Sequence, residues 1–263
     1  MNANVARVHV ESVGVGPPLV LLHGFAMHGG LFAPVLTQLA ATRRVHVADL
    51  PGHGYSAPPR EYTLDAMVDA IDDAVRDIDQ PLDVAGWSLG GLVAQAWALR
   101  HPRRFRRIVL IASTPRFVSG SDWPHAMARE TLERFGDELR VAYEPTLKRF
   151  LTLQVQGSDQ GRAILSTLRA RLFERGRPTP EALDGTLQLL EAIDLRGEAA
   201  RIRHPSLVVC GDRDALVPSS AGTWLARALP HGSSAIIEGA AHVPFVSHRD
   251  AFLAAVMPFL HAR

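Results

Sequence analysis

The sequence predicts an α/β fold: a mostly parallel sheet flanked by helices, with a helical insertion. Three observations predict it. Short apolar runs bounded by turn residues alternate with helical periodicities up to residue 113. The alternation stops at Thr114 and resumes near residue 204. A glycine-flanked serine stands where a strand gives way to a helix.

Leu19–Leu22, between Pro17-Pro18 and His23-Gly24, suits a buried strand. Leu31–Ala40 has helical spacing, and Val45–Leu50 is a second strand ending in Pro51-Gly52. In Leu64–Ile78, Met67, Val68, Ile71, Val75 and Ile78 share one face and acids the other, which makes an amphipathic helix. Leu82–Trp87 is a third strand, Leu89–Arg100 a helix and Ile108–Ala112 a fourth strand. Strands alternating with helices imply a parallel sheet covered on both faces.

From Thr114 to about Arg203 no buried strand is expected. Leucines recur at helical spacing, as in Leu147, Phe150, Leu151, Gln154 and in Ile164, Leu165, Leu168, Leu172. Strands resume at Leu207–Cys210 and Ala235–Ile237, with a helix at Trp224–Leu229 between them and another at Ala251–Leu260. The expected organisation is a core from 1–113 and 204–263 and a helical insertion at 114–203. Such an insertion belongs over the strands' C-terminal ends, where open α/β sheets bind ligands.

Composition bounds the function. Hydrophobic residues make up 47% and charged residues 21% of 263 positions, ordinary for a globular chain. The 28 Lys and Arg against 27 Asp and Glu leave a net charge of +1, which argues against general nucleic-acid affinity. Cys210 is the single cysteine, so no internal disulfide and no cysteine zinc cluster can form. Met1–Ser12 has no apolar core of signal-peptide length, and no run approaches the ~20 apolar residues that span a bilayer. The expectation is a cytoplasmic monomer or small oligomer with no membrane or nucleic-acid partner, no cofactor and no metal.

Gly86-Trp87-Ser88-Leu89-Gly90 follows a strand and opens a helix, the context of a nucleophile elbow. Small residues two before and two after the serine let the chain turn sharply and project the hydroxyl. A serine hydroxyl is weakly nucleophilic and needs a base. Gly211-Asp212-Arg213-Asp214 and Gly239-Ala240-Ala241-His242 follow later strands, on the same sheet edge as Ser88. Ser88, Asp214 and His242 therefore form the expected triad: nucleophile, orienting acid and general base. His23 and His53 precede the serine, the wrong chain order for this fold, and His248 begins the last helix. Asp214 is favoured over Asp212 because Ala215-Leu216-Val217-Pro218 leads from it into the next helix; Asp212 is read as capping the turn.

An oxyanion needs donors. The backbone N–H of Leu89 is one, and that of Phe25, in the loop after Leu19–Leu22, is assigned as the second. Phe25 could also be a core aromatic or a wall of the acyl pocket. Asp49 through Ser56 is read as a scaffold loop, and no phosphate-binding G-x-x-x-x-G-K-[ST] occurs.

Together, His23-Gly24, Asp49–Ser56, Gly86–Gly90, Gly211–Pro218 and His242 resemble the α/β-hydrolase superfamily across nearly the whole chain. Within it, Gly86–Ala94, Asp122-Trp123-Pro124, Arg149–Gln154, Asp194-Leu195-Arg196 and Ala241–His248 are most similar to the pimeloyl-acyl-carrier-protein methyl ester esterases of biotin synthesis. The resemblance implies a carboxylesterase that hydrolyses a methyl ester at the end of a pimeloyl chain carried on a phosphopantetheine arm. It implies substrate contacts at Phe25, Trp87 and Leu89, and an acyl-chain wall at Phe150, Leu151, Thr152, Leu153 and Gln154. The family often has Trp where this chain has Phe25, which preserves the backbone donor but alters the pocket.

Acyl carrier proteins are acidic, so a partner should be basic near the pocket mouth. Between Arg140 and Arg177 eight bases face three acids, and Arg149 and Arg162 are the expected carrier contacts. A solvated helix face explains the same excess. The second cluster, Arg103, Arg104, Arg106 and Arg107, is read as a solvated loop. A generalist carboxylesterase for short acyl esters would share the triad, as would a ligand-binding receptor on this scaffold. Dehalogenases and epoxide hydrolases resemble this fold but carry Asp where Ser88 stands.

Overall fold

The computed structural model describes residues 5–262. Residues 1–4 of the stretch Met1–Ser12, read above as free of a leader, lie outside them. Among the described residues, seven strands form one sheet: β1 Val10–Val13, β2 Pro18–Leu22, β3 Arg44–Ala48, β4 Leu82–Trp87, β5 Phe105–Ile111, β6 Ser206–Gly211 and β7 Gly232–Ile237. Their order is β1-β3-β2-β4-β5-β6-β7. Only the β1–β3 pairing is antiparallel. The order reverses between β2 and β4, the kind of switch point beside which α/β sheets open a crevice.

Central strands are buried along their whole length, which is why β2, β4 and β6 read as largely apolar runs, broken by Asp83 in β4 and opened by Ser206 in β6. Helices α1 (Ala33–Ala40), α2 (Leu64–Ala74), α3 (Leu89–Arg100), α8 (Ser219–Ala228), α9 (Pro244–Ser247) and α10 (Arg249–His261) belong to the sheet portion. Four more, α4 (Arg129–Val141), α5 (Tyr143–Val155), α6 (Gly161–Arg171) and α7 (Pro180–Ala192), fall between β5 and β6. Within that stretch the only β pairings among the described residues are the isolated bridges Val118–Met127 and Gly120–Trp123.

The sequence reading differs from the fold in four places. β1 carries no apolar run, since it is mostly exposed and exists by pairing with β3. α2 stops at Ala74 rather than Ile78, because Val75 leaves helical angles and Arg104 takes the carbonyls of Val75 and Ile78. α8 begins at Ser219, its polar first turn hiding it from a hydrophobic pattern. The cluster Arg103–Arg107 is not a solvated loop: Phe105 starts β5, Arg104 bonds Asp72 at 3.1 Å, Arg106 bonds buried Asp83 and Arg107 bonds the Ala262 carbonyl. Of these acceptors Asp83 is fully buried and needs the guanidinium.

The two ends of the helical stretch are tied together. Arg116 bonds Asp122 and Asp194 at 3.3 and 3.4 Å, Arg196 bonds the same two carboxylates at 2.7 Å, and the Leu195 N–H donates to Pro115 at 2.9 Å. No helix among the described residues is long and apolar enough to cross a membrane.

Candidate active site

Ser88 sits at the tight turn between β4 and α3, with φ 54° and ψ −116°. This backbone state is strained for a residue with a Cβ. The turn holds because its own polar groups are used: the Ser88 N–H donates to Ile111 at 2.9 Å, and the Ser113 hydroxyl donates to the Ser88 carbonyl at 2.8 Å. A Cβ on Gly86 would collide with the Gly90 carbonyl, and one on Gly90 with the Leu22 carbonyl. That close approach is the physical content of the glycine spacing.

Asp214 follows β6 and His242 follows β7, and the three side chains meet. The Asp214 Oδ2 lies 2.7 Å from His242 Nδ1, and His242 Nε2 lies 3.0 Å from Ser88 Oγ. An ionised carboxylate only accepts, so Nδ1 carries the proton and Nε2 is free to accept from the serine. The other Asp214 oxygen accepts from the N–H groups of Leu216 and Val217, both at 2.9 Å. Two amides and an imidazole thus fix a buried carboxylate in one orientation.

Phe25, after β2, and Leu89, at the start of α3, bring their N–H groups to the same sheet edge. Among the described residues neither amide has a protein acceptor. Unengaged amides beside a nucleophile can receive a developing oxyanion. Gly24 permits the approach, since a Cβ there would stand 3.2 Å from the Ser88 Cβ.

Above Ser88 and His242 lies a narrow cavity of about 30 Å³, lined mainly by Phe25, Phe117, Met127, Leu132, Phe135 and Phe150, with leucines from α7 behind them. Phe25, Phe135 and Phe150 pack on one another with ring centres 5.1 to 6.0 Å apart. No arginine or lysine lines it. A larger groove of about 590 Å³ opens at the opposite ends of the strands, beside Arg44, His46 and Asp77; it lies away from Ser88.

The remaining sequence expectations divide. Of residues 150–154, Phe150 lines the cavity. A helix turns about 100° per residue, so five consecutive residues cannot share one wall. Leu151 is buried in the core, Leu153 is half-buried, and Thr152 faces solvent with its hydroxyl on the Lys148 carbonyl. Gln154 is buried, and its backbone carbonyl accepts the His242 N–H at 3.1 Å. Trp87 does not line the cavity either: it is buried against Phe245 and donates its indole N–H to the His242 carbonyl at 2.8 Å. Asp212 does not cap its own turn but accepts from the Gly239 N–H at 2.8 Å, across to the loop bearing His242.

The basic stretch is less free than its composition suggests. Arg149 pairs with Glu138 of α4, and Arg140 with Asp184 of α7. Residues 129–192 hold ten bases and ten acids, so the excess between 140 and 177 meets acids lying just outside it. Arg175 leaves the cluster altogether to pair with Glu11 and Asp49 of the sheet portion, which fixes the Asp49 loop. Arg162 is exposed and has no acid partner among the described residues.

A doubly flanked parallel sheet, a strained serine between β4 and α3, and an aspartate and histidine after later strands define a class before any comparison. The chain belongs to the alpha/beta hydrolase fold family, matched over residues 17–249. Within it, the chain is 43% identical over 257 residues to the pimeloyl-[acyl-carrier protein] methyl ester esterase of Chromobacterium violaceum, covering 98% of this chain and 99% of that one. To the protein of the same name from Nitrosospira multiformis it is 40% identical over 256 residues, covering 96% and 97%. Among solved structures, an esterase from Exiguobacterium antarcticum superposes with a TM-score of 0.90 at 19% identity, and a bromoperoxidase from Bacillus anthracis with 0.90 at 22%, each over 98% of this chain and 96% of that one. These two likenesses concern the fold alone.

Proposed function

We propose that the chain is a serine carboxylesterase that hydrolyses the methyl ester of a pimeloyl group carried on acyl carrier protein. The observation that carries the chemistry is the hydrogen-bonded chain from Ser88 through His242 to Asp214 beneath an apolar cavity. The substrate rests on the two relatives named for that reaction. Residues 114–203 act as a cap over the site.

In this reading His242 Nε2 takes the Ser88 proton as Oγ attacks the ester carbonyl. The N–H groups of Leu89 and Phe25 hold the tetrahedral oxyanion. His242 returns the proton to the methoxy oxygen, methanol leaves, and the acyl group stays on Ser88. Water, deprotonated by the same imidazole, then attacks the acyl-enzyme and releases the carboxylic acid. Asp214 keeps the tautomer and stabilises the imidazolium. We propose also that the enzyme is cytoplasmic and works as a monomer; the single free cysteine, Cys210, is in keeping with a reducing compartment.

The test is hydrolysis of pimeloyl-carrier methyl ester, followed by mass. Wild type converts it and Ser88→Ala does not. No conversion beside rapid turnover of small esters would instead support a generalist esterase for short acyl groups. The narrow cavity without basic lining favours that second reading.

A further inference from the structure

Four polar contacts join the C-terminal end of α5 and the turn after it to the two loops that bear His242 and Asp214, and a fifth joins those loops to each other. The Gln154 carbonyl accepts the His242 N–H at 3.1 Å. The Asp159 N–H donates to the Gly239 carbonyl at 3.2 Å, three residues before His242. The Asp159 carboxylate accepts from Arg213, the neighbour of Asp214, and the same guanidinium donates to the Gly157 carbonyl at 3.1 Å. Asp212 then closes the ring by accepting the Gly239 N–H at 2.8 Å.

The ring therefore runs Asp212–Gly239–Asp159–Arg213 and back along the chain to Asp212. It crosses three separate stretches of sequence. Gly239 has φ 76°, and a Cβ there would collide with the Asp159 carboxylate, so the site is shaped for a close approach. Gly157, at φ 83°, turns its carbonyl onto Arg213 in the same way.

We propose that Asp159 and Arg213 are positioning residues for the reaction, and that the α5–α6 corner of the insertion sets the alignment of His242 against Asp214. This rests on the reading of Ser88, Asp214 and His242 as a triad. Neither Asp159 nor Arg213 reaches the reacting atoms. They act by holding two loops in one register, and a small misplacement of a general base is expensive in rate. The insertion is then more than a wall of the cavity: it forms the third support of the histidine loop.

The experiment uses Asp159→Ala, Asp159→Asn, Asp159→Glu, Arg213→Ala and the Asp159→Ala/Arg213→Ala double variant of the full chain. Two readouts are taken: steady-state hydrolysis of a small methyl ester, and the low-field proton resonance of the His242 Nδ1–H bonded to Asp214. The Ala and Asn variants should lower kcat about fivefold and leave KM within about twofold. Their low-field resonance should move upfield or broaden. Asp159→Glu should restore both, and the double variant should match the singles, because one ring is broken once. Unchanged kcat and resonance in all variants would overturn the proposal, as would fully additive losses or a loss that follows the melting temperature alone. Absence of turnover in the wild type would refute the esterase reading instead, and the resonance would still decide the positioning role.

Discussion

The indole N–H of Trp87 donates to the carbonyl of His242 at 2.8 Å, so the residue before the candidate nucleophile holds the backbone of the candidate base. Both partners are buried. Trp87→Phe keeps most of the packing against Phe245 and leaves that carbonyl without its donor. A buried acceptor left unpaired costs about 1–3 kcal/mol. Melting should therefore fall by several degrees, and kcat should drop more than KM rises as the histidine loop relaxes. Equal melting and equal kcat in the two proteins would show that the bond carries neither stability nor alignment.

Ser88 offers a cleaner separation of strain from chemistry. Its φ of 54° and ψ of −116° are tolerated by glycine and disfavoured for any residue with a Cβ. Strain of this kind is worth about 1–3 kcal/mol, against about 0.5–1 kcal/mol of extra chain entropy that glycine loses on folding. Ser88→Gly and Ser88→Ala should both be inactive. Ser88→Gly should be the more stable by about 1 kcal/mol in denaturant unfolding, since alanine keeps the strained Cβ. The reverse order would mean that the turn stores no strain.

The aromatic wall is the third point of leverage. Phe135 is half-buried, with its ring 5.1 Å from Phe150 and 6.0 Å from Phe25. Phe135→Ala opens the narrow cavity without touching Ser88 or His242. The ratio of kcat/KM for a long-chain methyl ester over a two-carbon ester should rise about tenfold, given about 0.8 kcal/mol for each methylene newly accommodated. A series of methyl esters of increasing chain length measures it; an unmoved optimum would place the acyl chain elsewhere.

The legibility of this chain was uneven for physical reasons. β2, β4 and β6 are readable because both of their faces are buried, and burial on both sides leaves a short, largely apolar run between turn residues. β1 and the first turn of α8 are not, because pairing and polar caps, rather than apolar patterns, form them. Ser88, Asp214 and His242 could be picked out because their local chemistry and chain order are special, and the three do meet. Trp87 and Gln154, expected from the family resemblance to contact substrate, both bond the backbone of His242 instead. A backbone bond over 155 residues leaves no mark in composition or spacing.

Acid should loosen the fold through two buried histidines, His23 packed against the Asp49 loop and His53 within it. Burial pushes His23 down to about 3 and His53 down to about 4. His23 Nε2 accepts the Leu50 N–H at 2.8 Å, a bond open only to the neutral ring. An unfolded histidine takes its proton near pH 6.5, well above either folded value. Between those values the unfolded chain binds more protons, so stability is complete above pH 6.5 and is lost as pH falls toward 4. The slope reaches up to about 1.4 kcal/mol per pH unit for each group. Melting followed from pH 7.5 downward should show it, and His53→Leu should make it shallower. A slope unchanged in that variant would place the acid sensitivity elsewhere.

Carrier recognition gives the last prediction. Arg149 is engaged by Glu138, which leaves Arg162 and Arg169 as exposed guanidiniums on α6 with no acid partner among the described residues. An acidic partner would be steered by such charges, and steering weakens with salt. Arg162→Glu/Arg169→Glu should lower kcat/KM for the carrier-bound ester relative to free methyl ester by about tenfold at low ionic strength. The gap between the two substrates should narrow as salt is raised, because screening removes the attraction from the wild type. Arg149→Ala should move the ratio less, because its charge is already spent on Glu138. Measurement of both substrates across ionic strength decides it: a ratio indifferent to salt and to the double reversal would mean that α6 is not the carrier-binding surface.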